Sequence, residues 1–147
     1  MKKLCALFVI LALLLCGCGA GEDAETSEYS DALDKAQQIA VLSADTSKVV
    51  NVLDTKEEFN EFSEALKTEE WEPAEAPQDS KELGSFALSQ EKTIKLGQTD
   101  TDGELYNVGK IVLYDSPYIE FEIAGLGMSF KIPEDTAKYL KGYFESR

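Results

Sequence analysis

The chain of 147 residues contains no histidine, and its three cysteines, Cys5, Cys16 and Cys18, all fall within the first 18 positions. Without histidine there is no Ser-His-Asp or Cys-His nucleophile, no histidine-ligated zinc and no imidazole titrating near neutral pH. Beyond position 18 there is no thiol for a disulfide or a redox motif. Positive charge is also scarce: 14 Lys and Arg stand against 28 Asp and Glu, a net charge of −14. Such a surface repels nucleic acid and anionic polymers. The chemistry left to the chain is that of carboxylates, tyrosine and lysine. No pattern among them marks a catalytic or metal site or a bound cofactor, and the expectation from composition is a protein that is not an enzyme.

No apolar run reaches the roughly 20 residues that a membrane-spanning helix needs. The run that is present, Cys5 to Leu15, is 11 residues long and follows Lys2 and Lys3. That is the layout of a secretory leader, with a cationic start and an apolar stretch of about 7–15 residues. It ends in Leu15-Cys16-Gly17-Cys18. This resembles the lipobox of bacterial lipoproteins, in Leu15, in the small Gly17 and in Cys18; Cys16 departs from the usual Ala, Ser or Thr. The resemblance implies cleavage after Gly17, diacylglycerol and palmitate on Cys18, and attachment to the outer, extracytoplasmic side of the cell membrane. Loss of the leader removes Lys2 and Lys3 and no acid, taking the charge from −14 to −16. Residues 18–30 then read as the lipidated cysteine and an acidic tether, with a single α+β domain over 31–147.

Within that domain, Lys48 to Leu53 has the β-branched content of a strand, and 37–43 fits either a helix end or a strand. Thr55 with Glu58 makes a capping box, and Phe59, Phe62 and Leu66 follow at helical spacing, so a helix is expected over about 55–67. Residues 68–83, with Pro73, Pro77 and Trp71, read as a long loop. The 86–132 region reads as an antiparallel meander. A hairpin at Asp102-Gly103 would set Ile94 against Ile111, and one at Asp115 to Pro117 would set Ile111 against Phe121 and Leu113 against Ile119. A third at Gly125-Leu126 would set Ile123 against Met128, Phe121 against Phe130 and Ile119 against Ile132. Lys110 would face Glu122, and Glu120 would face Lys131. Pro133 opens a second helix, about 133–145, with Ala137, Leu140 and Phe144 on its apolar stripe and Tyr139 and Tyr143 beside it. The expected fold is α+β: one sheet whose apolar face is covered by the two helices.

Gln98 to Gly103 carries the acid spacing of half a calcium loop. It lacks Asp at the first position and Glu at the twelfth, and a hairpin explains it better. Gly125-Leu126-Gly127 joins two strands and so is no phosphate loop. Tyr106, Tyr114 and Tyr118 fall on the charged face of the meander, where exposed aromatics often mark interfaces. Trp71 is either core or an exposed anchor. The overall arrangement is similar to that of small Gram-positive-type lipoproteins. Together these features lead to the expectation of a membrane-anchored module that binds an extracellular protein or peptide, one of cationic character, without catalysis. Tyr114, Tyr118, Tyr106 and Trp71 would make the contacts. An inhibitor or immunity protein against a secreted enzyme or toxin is the alternative, followed by a small-solute binder or a carboxylate enzyme.

Overall fold

The computed structural model describes residues 31–92, 96–97 and 102–145. The leader, the lipobox with Cys18, the tether over 19–30 and the pairing expected of Ile94 lie outside them.

The architecture is α+β. Seven strands form one antiparallel sheet: β1 (Gln38–Ser43), β2 (Val49–Leu53), β3 (Glu72–Pro73), β4 (Glu82–Glu91), β5 (Leu105–Tyr114), β6 (Tyr118–Ile123) and β7 (Leu126–Lys131), in the order β2-β1-β4-β5-β6-β7-β3. Helices α1 (Lys56–Leu66) and α2 (Glu134–Lys141) pack on one face. The ambiguous 37–43 segment is therefore a strand. It and β2 extend the meander at one edge, while β3, which falls within the expected long loop, closes the other.

Alternation makes one face of the sheet apolar. Ile39 and Val41 of β1, Phe86 and Leu88 of β4, Ile111 and Leu113 of β5, Ile119 and Phe121 of β6, and Phe130 of β7 are all buried. Phe62 and Leu66 from α1 and Ala137 and Leu140 from α2 complete the same core. Each fully buried side chain of this kind contributes about 1.5–3 kcal/mol. Because β2 and β3 are the two outer strands, α1 and the turn after it cross the whole sheet between them. Thr55 starts the helix as a capping box: its hydroxyl accepts from the Glu58 amide at 3.3 Å, and the Glu58 carboxylate accepts from the Thr55 amide at 3.1 Å. The two helices are tied to each other where the Thr136 hydroxyl donates to the Ala65 carbonyl at 2.8 Å and where Lys67 meets Asp135.

The β5–β6 register is as expected, with Ile111 opposite Phe121 and Leu113 opposite Ile119. Two other registers differ. Ile111 pairs on its far side with Phe86 of β4, and Gly109 with Leu88. The described partner of β5 on this side is β4, which ends at Glu91 opposite Leu105, and Leu96 stands fully exposed. In β6–β7, Ile123 faces Leu126, Phe121 faces Met128 and Ile119 faces Phe130, a slip of two residues. The turn residues are Ala124 (φ 52°) and Gly125 (φ 82°), both left-handed as a type I′ turn demands. A slip of two preserves the faces, so the core list survives it. It does move Glu120 opposite Ser129, and Lys131 opposite Tyr118. Lys110 and Glu122 do pair, at 3.3 Å.

Candidate functional site

The expected contact residues do not form one surface. Trp71 is enclosed: its ring packs on Phe130 and Phe121, with centroids 5.3 and 6.2 Å away, and its Nε1–H donates to the Leu66 carbonyl at 2.7 Å. It caps the C-terminal end of α1 and is no exposed anchor. Tyr106 lies eight residues from Tyr114 along β5, about 27 Å at strand rise. Its hydroxyl is shared between Asp102 (2.8 Å) and Glu104 (3.0 Å), with Lys92 Nζ 4.2 Å above the ring. Asp102, the described acid of the half calcium loop, is thus engaged with Tyr106 and Lys92. Tyr114 and Tyr118 do come together beside the β5–β6 turn, both half-buried. The Tyr114 hydroxyl donates to Glu120 at 3.1 Å; burial and that carboxylate push its pKa up. β1 and β2 lie within the sheet and so do not cover this face, and Leu33 and Ala36 ahead of β1 join the main core. Val112 is nonetheless buried there, between Ser85 and Glu120 on the flanking strands.

A deeper feature lies on the opposite side, where β1 and β2 meet the two helices. A groove of about 610 Å³ is lined by Ser43, Asn51 and Val50 from the edge strands, by Glu58 and Glu61 from α1, and by Tyr139, Tyr143, Phe144 and Glu145 from α2 and the turn after it. Its volume falls in the range of small-ligand sites, roughly 300–1,000 Å³. The Thr55 cap starts α1 at Lys56, three positions after β2 ends at Leu53, so strand and helix both line the groove at this junction. Tyr139 on α2 and Tyr143 in the turn that continues it sit four residues apart and so share a face.

The two tyrosines form the floor. Their rings are edge-to-face with centroids 5.6 Å apart, both lean on Phe62, and Tyr143 also meets Phe86 at 5.5 Å. Their hydroxyls are 2.9 Å apart. Either one can donate, leaving one proton and the remaining lone pairs for a visitor. Burial is the main cause that raises the pKa of each, and the Glu61 charge adds to it. Both therefore stay neutral. Glu58 is held ionised, its pKa lowered by the Thr55 hydroxyl and then by the Asp54 and Thr55 amides. With Glu61 and Glu145 it gives the lining three carboxylates and, among the described residues, no basic side chain.

Sequence reasoning placed Tyr139 and Tyr143 beside the apolar stripe and Glu58 in the cap, but assigned none of them to a site. The available signal was a pair of polar-tipped aromatics at i and i+4, facing an acid-rich first turn. The partner across the groove, β2, cannot be inferred from spacing.

No protein-family model and no curated protein matches the sequence. Among solved structures, a thioesterase-like protein from Clostridium sporogenes is similar at 17% identity, over 76% of this chain and 96% of that one, with a TM-score of 0.40. The expectation of a non-catalytic module binding a protein or peptide is withdrawn. The similar structure is described as thioesterase-like, and Trp71, one of the expected contacts, is in the core. At that TM-score and identity the likeness itself carries no argument for an activity here.

Proposed function

We propose that the chain is a lipid-anchored protein that binds a small organic cation in the groove between β2, α1 and α2. The observation that carries this reading is the lining: two neutral tyrosine rings beside three carboxylates, with no lysine or arginine among the described residues that line it. An ammonium group over a tyrosine face gains about 0.5–1 kcal/mol when exposed and about 2 when desolvated. Carboxylates at the rim add attraction and raise the local cation concentration, and the net charge of −14 acts in the same direction over longer range. Anchoring through Cys18 on the outer face of the cytoplasmic membrane is supported by Leu15, Gly17 and Cys18 at lipobox spacing. Two acyl chains suffice for stable attachment.

The test of binding is an NMR titration with choline and with 3,3-dimethyl-1-butanol, its uncharged isostere. Choline should shift the Tyr139 and Tyr143 ring signals saturably, with the isostere at least about tenfold weaker, and Glu61→Gln should weaken choline about three- to fivefold, the share of a single exposed ion pair. Equal response to both compounds, or no saturable response to choline or spermidine, refutes the reading. Anchoring is tested by palmitate labelling, which should be lost in Cys18→Ala and kept in Cys16→Ala.

A further inference from the structure

One residue lining the groove, Phe144, owes its position to a side chain that is missing. Gly84, in β4, pairs with Ser43 of β1 and is buried. A Cβ built on it would lie 2.2 Å from Phe144 Cε1 and 2.7 Å from Phe144 Cζ. The Phe144 ring therefore occupies the very space that any other residue at 84 would fill. From that notch it meets Phe86 edge-on, with centroids 5.5 Å apart. The turn that carries it is fixed to α2 by hydrogen bonds: the Phe144 amide donates to the Lys141 carbonyl at 2.9 Å and the Tyr143 amide to the Leu140 carbonyl at 3.2 Å. Phe144 also lines the groove beside Tyr143.

We infer that Phe144, seated in the Gly84 notch, is the specificity-determining wall of the groove and limits the bulk of the ligand that can lie over Tyr139 and Tyr143. The inference rests on the groove being the binding site. The reasoning is steric: the ring is wedged between the Gly84 backbone and Phe86, so it cannot retreat further into the protein to admit a larger guest. Removing it opens space that is continuous with the tyrosine floor. Tyr143 and Tyr139 keep their own support on Phe62, so the floor outlasts the wall.

The experiment uses the full-length chain and two kinds of probe. The first pair is tetramethylammonium and benzyltrimethylammonium, one compact and one bulky cation. Phe144→Ala should raise the affinity of the bulky cation at least threefold relative to the compact one, and Phe144→Leu should fall between parent and Ala. Should Phe144→Ala fail to fold, the Leu variant alone decides, with a rise of about 1.5-fold or more expected. An unchanged ratio in the folded variant overturns the inference. The second probe is an uncharged nitroxide, TEMPOL, whose relaxation of the Tyr139 and Tyr143 ring protons reports access without requiring cation binding. That relaxation should at least double in Phe144→Ala. No increase overturns the wall whatever the cations do. An increase together with no cation binding by the parent leaves the wall standing and refutes the ligand class instead.

Discussion

Replacing Gly84 by alanine should be among the most damaging one-carbon changes available in this protein. The added methyl carbon would stand 2.4 Å from the Leu42 carbonyl oxygen and 2.2 Å from the Phe144 ring, where comfortable carbon contacts are about 3.5–4.0 Å. The ring can yield, but only by leaving the notch and its contact with Phe86. The carbonyl cannot, since Leu42 and Ser43 are paired with Ser85 and Gly84 across β1–β4. Relief there means prising two strands apart. Overpacking of a closed site costs about 1–3 kcal/mol, occasionally more, and two simultaneous overlaps place Gly84→Ala near the top, at about 3 kcal/mol. The entropy advantage of alanine in the unfolded chain returns only about 0.4–1 kcal/mol. Phe144→Ala alone should cost about 1–2 kcal/mol, below the 3–5 of a fully buried phenylalanine. The double variant should be less destabilised than the sum by about 1 kcal/mol, because one of the two overlaps has gone. Urea denaturation at constant m measures all three. A Gly84→Ala cost under about 1 kcal/mol, or full additivity in the double variant, would refute the notch as the reason for glycine here.

Trp71→Phe should cost about 1–3 kcal/mol, since the indole N–H that the Leu66 carbonyl accepts at 2.7 Å is lost inside the core; an equilibrium unfolding midpoint equal to the parent's would argue against it. Ala124→Asn should stabilise by about 0.5–1 kcal/mol, because alanine is held at φ 52° in a turn that suits Asn-Gly, and a lowered melting temperature would contradict the register reported for β6–β7. Burial raises the pKa of Tyr139 and Tyr143 in the folded chain, so the unfolded chain gives up these protons first; stability should be unaffected below about pH 10 and fall as pH rises above it. The Tyr139→Phe, Tyr143→Phe double variant should flatten that alkaline slope, which denaturation at stepped pH values would record. Phe121→Ala should cost about 3–5 kcal/mol and Lys110→Ala under about 1 kcal/mol, and a reversal of the two would mean that the faces of the sheet are exchanged.

Sequence alone determined the α+β class, the two helices and the faces of the strands. These are local properties: the Thr55–Glu58 cap involves residues three apart, the helical stripes repeat every three or four, and strand alternation has a period of two. Because the period is two, Phe121, Ile119 and Phe130 were recognisable as core even though β7 pairs two residues away from the expected register. Tertiary structure decided what depends on which strand lies beside which. Ile111 takes Phe86 as its partner because β4 ends at Glu91, and no turn residue announces that length. Trp71 is core because α1 delivers it to the far edge of the sheet, onto Phe121 and Phe130. The groove is the least legible feature of all. Its strand wall at Asn51 and Val50, its acids at Glu58 and Glu61 and its tyrosines at 139 and 143 are separated by up to some ninety positions. Only the placement of β2 at the sheet edge and the fold of both helices onto one face bring them together.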